Sequence, residues 1–193
     1  MLAYLFWHWP RPDVDPGRYA DALVAFHRAL AANPPQGYHG SRVLEVSGAP
    51  WTPVPTALED WYFVDDFAAL GALDDAAISG RRREPHDGAA RLALGGAGGL
   101  YRRVREGTRA APGEAWWFGK QAGMGYPELL AQIPAAELWQ RQLVLGPAPE
   151  FCLLGARPPA CADRPTLLPV RLLGAHAPAP EDARSTPDGH HGK

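Results

Sequence analysis

Histidine is the side chain best suited to proton transfer near neutral pH, because its ordinary pKa of about 6.5 lets it both take and give a proton. The chain has seven. His8 sits in the aromatic run YLFWHWP, residues 4–10, between Trp7 and Trp9, and Pro10 closes the run. On a strand, alternation puts His8 on one face with Tyr4 and Phe6 and sends Leu5, Trp7 and Trp9 to the other. His27 follows Phe26 and stands four residues after Leu23, at the border of an apolar helical stripe. Each also has a plain structural reading, as a buried imidazole whose nitrogens are satisfied by neighbouring polar groups. His39 alternates with Tyr38 on a strand, and His86 follows an arginine run as a surface or helix-start residue. His176, His190 and His191 fall in a C-terminal stretch of Ala, Pro, Asp, Gly and His that reads as a disordered tail.

Other polar groups could join an imidazole. Asp60 and Tyr62 alternate with Glu59, Trp61 and Phe63, and Arg42 lies in mid-strand. A cavity built from these parts would use His8 or His27 as acid and base, Tyr62 and Arg42 to orient a substrate, and Trp7, Trp61 and Trp117 to stack on it. No nucleophile elbow, zinc-protease helix, phosphate loop or kinase signature is present. The glycine cluster GGAGG at 95–99 follows a helical pattern and reads as a helix stop. Cys152 lies in an apolar run and Cys161 in a proline-rich loop, which is neither a disulfide framework nor a zinc spacing. No metal and no cofactor are expected.

The chain has 193 residues, 46% of them hydrophobic and 10% aromatic, enough for a real core in one domain or two small ones. A formal net charge of −2 gives no footprint for nucleic acid or an anionic membrane. The segment RRREPH at 81–86 is basic but has no aromatic interleaving, so it reads as a solvated stretch. The N-terminal apolar run is far shorter than the ~18 residues that span a bilayer, and it lacks the flanks of a signal peptide. The expectation is a cytoplasmic protein. The abundance of Arg over Lys, with much Ala, Gly and Pro, points to a GC-rich, bacterial genome.

The elements that must position these groups follow from periodicity. LAYLFWHW at 2–9 reads as a strand buried on both faces. Asp15-Pro16 reads as an N-cap with proline at the first helical position, and Tyr19, Leu23, Phe26 and Leu30 form one stripe before Asn33-Pro34-Pro35 stops the helix. Strands follow at 38–47 and 58–65, then a short helix at 67–77, a helical piece at about 85–94, and an edge-type strand at 100–106. This order, β-α-β-β-α-β, is the split βαβ or ferredoxin-like arrangement. After a linker at 107–114 a fainter copy begins: a strand at 115–120, a helix at 126–133, strands at 138–145 and 150–155, and a last strand at 166–173. Pro169 demotes that strand to an edge, and the second helix of this copy is missing. The expected organisation is a ferredoxin-like repeat over 1–106, the linker, a reduced repeat over 115–174 and a tail over 175–193. Each sheet has one face without helices. Two such sheets packed face to face would make an α/β barrel of antiparallel sheets around a cavity.

That unit, with its aromatic open face, resembles the dimeric α/β-barrel superfamily. Over about residues 2–105 it is most similar to the EthD-type domains, through Tyr19, Phe26, His27 and Leu30 in GRYADALVAFHRAL and through WYFVDDFAAL at 61–70. The superfamily includes cofactor-free monooxygenases, polyketide dehydratases and cyclases, muconolactone-type isomerases and haem enzymes. The resemblance therefore implies a small-molecule cavity without choosing a reaction. A haem held by the second half is disfavoured, since that half has no histidine before the tail. Two functions are expected. One is a binding barrel for a small hydrophobic or aromatic ligand. The other is a cofactor-free monooxygenase, dehydratase or isomerase with a histidine acid/base on an aromatic or polyketide-like substrate. With both repeats in one chain, the protein would be a monomer with an internal barrel. Otherwise, it would be a homodimer.

Overall fold

A computed structural model describes residues 1–107 and 113–178. β1 (Leu2–Pro10) is followed by α1 (Pro16–Ala32), β2 (Tyr38–Ser47) and β3 (Thr56–Val64). Next come α2 (Phe67–Ala77), a single 3-10 turn (Gly80–Arg82), α3 (Arg83–Ala90) and β4 (Ala93–Arg105). The second half holds β5 (Glu114–Lys120), α4 (Tyr126–Gln132), β6 (Glu137–Arg141), β7 (Phe151–Leu154) and β8 (Ala162–His176). The α+β architecture is that of eight antiparallel strands in one sheet with four α-helices among the described residues.

Hydrogen bonding runs in the order β1-β3-β2-β8-β5-β7-β6-β4 and returns from β4 to β1, so the sheet closes on itself. Within the first half the order is β4-β1-β3-β2, and within the second β8-β5-β7-β6. The two halves meet at two seams, β2 with β8 and β4 with β6.

Closure changes the reading of three segments. The glycines at 95–99 do not stop a helix. They lie inside β4, with Gly96 opposite His8 and Gly98 opposite Phe6 on β1. Neither β4 nor β8 is an edge, because each has a neighbour on both sides. Pro169 is tolerated for a local reason. β8 pairs with β5 through Ala162–Pro169 and with β2 through Val170–His176. The Val170 N–H points to Gly113 O on the β5 side, so the proline nitrogen faces the other side, where the β2 ladder has ended at Val46. β8 also continues through Ala175 and His176, two residues into the stretch expected as tail. The expected tail from residue 179 on, and most of the expected linker, lie outside the described residues.

Strand alternation gives the sheet two buried faces. The inner face holds Leu5, Trp7, Leu44, Trp61, Tyr101, Trp117, Trp139, Cys152 and Leu168 in one cluster, with the four tryptophans no more than 1% exposed. The volume expected as a cavity between two sheets is therefore filled by side chains. The outer face of the first half is covered by α1, α2 and α3, and that of the second by α4, whose Leu129 packs with Phe118, Leu138 and Phe151. The Asp15 carboxylate accepts from Arg18 N at the start of α1, and Asn33 ends the helix, as its caps predict.

Candidate functional site

The first half has a cavity of about 850 Å³ on its outer face, between the sheet and the three helices. β1 contributes Tyr4, Phe6 and His8, β3 contributes Asp60 and Tyr62, and α1 contributes Tyr19, Leu23 and Phe26. These positions follow from the register. Tyr4 pairs with Tyr62 and Phe6 with Asp60, so all four side chains share one face, and His8 is the diagonal neighbour of Asp60.

The β1 rings lie side by side in a nearly parallel row. Tyr4 and Phe6 are 6.2 Å apart at 15°, Phe6 and His8 4.9 Å apart at 26°, and Tyr4 and Tyr62 6.1 Å apart at 25°. The glycines of β4 make room for this row. A Cβ on Gly96 would stand 2.4 Å from Phe6 Cζ, and one on Gly98 2.7 Å from the Tyr4 hydroxyl.

The centre of the site is a buried carboxylate between two imidazoles. Asp60 Oδ2 lies 3.0 Å from His8 Nε2 and 3.2 Å from His27 Nε2, and all three residues are at most 1% exposed. Neither N–H is aimed straight at the oxygen, so these close contacts are bent and not linear hydrogen bonds. The Tyr62 hydroxyl donates to the same oxygen at 2.9 Å. Burial by itself would raise the Asp60 carboxyl, but the charges of His8 and His27 and the bonds from both outweigh it and hold the group well below its ordinary value. His8 Nδ1 meets the Tyr19 hydroxyl at 2.7 Å. Burial first, and then the Asp60 charge, push Tyr19 well above an ordinary phenol, so its O–H stays on and donates to Nδ1. His27 Nδ1 meets Ser41 Oγ at 2.7 Å, and Ser41 Oγ accepts from the Tyr38 hydroxyl at 2.8 Å. Burial pushes Tyr38 up to about 12, with the Ser41 bond opposing it.

The residues named from sequence separate onto the two faces. His8, Asp60 and Tyr62 line the cavity, and His27 stands behind them against Asp60. Trp7, Trp61 and Trp117 do not line it. They fill the inside of the closed sheet, where Trp7 and Trp61 both donate to Glu59. Arg42 is inside as well, 4.0 Å over the Trp61 ring and 3.4 Å from Glu137. Residue alternation separates the faces, but only the sheet closure shows which face meets the helices. His86, expected as a surface or helix-start residue, is the fourth residue of α3 and stands at the cavity wall with its ring 5.4 Å from Phe26. Sequence reasoning did not single out Tyr19 or Asp60 as working groups. The available signal was LEDWYFV, where two adjacent carboxylates sit in a strand otherwise made of apolar and aromatic side chains. One must face each side, and both are buried.

No protein-family model matches the chain, and no curated protein matches it. Two solved structures share the fold. One, described as an "anthrone oxidase-like protein", aligns over 93% of this chain and 94% of its own, with 10% identity and a TM-score of 0.51. The other, a "putative monooxygenase from Lactobacillus acidophilus NCFM", aligns over 91% of this chain and 95% of its own, with 9% identity and a TM-score of 0.55. The likeness in each case is one of fold. No helix among the described residues is long and apolar enough to cross a membrane.

Proposed function

We propose that the protein is an acid–base enzyme that binds a hydrophobic ring substrate in the cavity and removes a proton from an acidic C–H, with dioxygen as the oxidant that follows. One observation carries this reading. A chain of groups, Tyr19–His8–Asp60, runs from the wall of an apolar cavity to a buried carboxylate, with contacts of 2.7 and 3.0 Å. This is the order hydroxyl, imidazole, carboxylate that moves a proton from a reacting group and steadies the imidazolium that results.

The step balances as follows. The substrate C–H gives its proton to the Tyr19 oxygen, while the Tyr19 proton passes to His8 Nδ1. The carbanion keeps the electron pair, and the His8 imidazolium rests against the Asp60 carboxylate. With an anthrone-type substrate, the carbanion reduces dioxygen. One oxygen atom stays on the ring carbon as a ketone, and the other leaves as water with the second hydrogen of that carbon and the proton that His8 gives back through Tyr19. Tyr4, Phe6 and Phe26 hold the ring and keep water from the reacting carbon. His27 does not line the cavity and acts through Asp60 as a positioning residue.

The repeated strand orders β4-β1-β3-β2 and β8-β5-β7-β6 support reading the chain as two ferredoxin-like units closed into an α/β barrel, the second lacking its second helix. On that reading the site belongs to the first unit alone.

The test is oxygen uptake and quinone absorbance with anthrone. The protein should speed the reaction over buffer. Tyr19→Phe and His8→Ala should each lower kcat/KM by about 10²-fold or more, the usual scale for losing a positioned acid or base. A wild-type rate equal to that of buffer, or variants that keep the full rate, would overturn the assignment. Saturable binding of the ring compound without turnover would leave a binding protein.

A further inference from the structure

The cavity has polar groups at two depths. His8 and Asp60 lie at the floor and are at most 1% exposed. Asp74 on α2 and His86 on α3 line the same cavity from the helix side, Asp74 on an exposed position and His86 with about a third of its side chain exposed (32%). The rest of the lining is mainly apolar, with Leu70, Leu73, Phe26 and Phe6, and it also includes Tyr4, Tyr19 and Tyr62. A ring molecule with its reacting carbon against His8 and Asp60 would turn its other end toward the helix side of the cavity, where Asp74 and His86 stand.

The chemistry of that outer pair is one-sided. The Asp74 carboxylate accepts hydrogen bonds. His86 Nδ1 lies 3.1 Å from Asp87 Oδ1. The Asp87 carboxylate can only accept at that distance, so Nδ1 carries the proton and donates to it. In the neutral ring this leaves Nε2 as an acceptor. Two acceptors at the cavity mouth match a donor on the ligand. A ligand ether or carbonyl placed there would face lone pairs.

We infer that Asp74 and His86 form a specificity subsite that selects ring substrates carrying a hydroxyl or amino donor at the end remote from the reacting carbon. This rests on the cavity being the substrate site, and it adds what the outer end of the substrate must be. The polar floor handles the proton, and the mouth reads the substituent. A hydrogen bond to a charged carboxylate is stronger than one between neutral groups, so a single donor substituent can set the preference.

The experiment is equilibrium binding of three probes: anthraquinone, 2-hydroxyanthraquinone and 2-methoxyanthraquinone. The wild-type protein should bind the hydroxy compound about tenfold or more tighter than the methoxy compound, within the range for losing a hydrogen bond to a charged group. The double variant Asp74→Asn/His86→Phe should bring that ratio close to one. Asp75→Asn, on the same helix but outside the cavity lining, should keep the wild-type ratio. Circular dichroism on each variant checks the fold, and both altered side chains reach solvent. Equal affinity for hydroxy and methoxy probes in the wild type, or a ratio that survives the double variant, overturns the subsite and leaves the cavity proposal standing. No binding of any of the three overturns both.

Discussion

Glu59 and Asp60 are neighbours in sequence whose carboxyls face opposite sides of one strand, and their titrations pull stability in opposite directions. Burial raises the Glu59 carboxyl; bonds from Trp61 and Trp7 and the Arg42 charge oppose this without cancelling it. The folded protein holds that proton more tightly than the unfolded chain does. Its contribution is complete below the ordinary carboxyl value and is lost as pH rises toward the folded value. Asp60 is held below its ordinary value, so its contribution is complete above about pH 4 and is lost as pH falls toward the folded value. Thermal unfolding followed over pH should therefore change in two distinct ways. Asp60→Asn should flatten the loss of stability on the acid side, below about pH 4. Glu59→Gln should flatten the decline that begins above the ordinary glutamate value. Identical pH profiles for both variants and the wild type would show that neither carboxyl is linked to folding.

At the scale of elements, β1 and β4 act as a unit. Phe6 and Tyr4 can lie flat only because β4 offers Gly96 and Gly98 beneath them. The cavity floor is thus shaped by residues with no side chain. Gly96→Ala puts a methyl against Phe6 Cζ and 2.9 Å from the Trp7 carbonyl, which cannot move without disturbing the ladder. Overpacking of this kind costs about 1–3 kcal/mol. Urea unfolding should show a loss in that range, and the displaced Phe6 ring should weaken binding of a ring ligand more than the same change at Gly88. Gly88 stands on α3, where an added Cβ meets nothing within 4 Å. Unchanged stability in Gly96→Ala would mean that the row of rings is not held against β4.

At the scale of the whole molecule, one chain supplies all eight strands of the closed ring. Both seams are internal, and Arg42 of β2 reaches Glu137 of β6 across the inside of the ring. Among the described residues no strand of the ring is left unpaired to recruit a second copy. The protein should therefore run as a monomer of 20.9 kDa by light scattering at micromolar concentration. A stable dimer would show that a surface outside the sheet, such as the exposed Leu143–Leu145 loop, holds two copies together.

Local pattern determined much of this protein. The caps at Asp15 and Asn33, the stripe from Tyr19 to Leu30 and the alternation of β1 are short-range consequences of residue type, and they were legible. The separation of His8 from Trp7 and Trp9 was legible for the same reason, since neighbouring strand residues point apart. Closure of the sheet depends on long-range pairing, and only the tertiary structure decided it. It turned Gly95–Gly99 from a helix stop into a strand and Pro169 from an edge marker into a handover between two neighbours. It also decided that the tryptophan face looks inward and is filled, while the His8 face meets the helices and is partly empty. His8 and His27 stand 19 positions apart on a strand and a helix. Only the packing of α1 on that face brings both to the Asp60 carboxylate, because a shared charge depends on distances in space that no local pattern encodes.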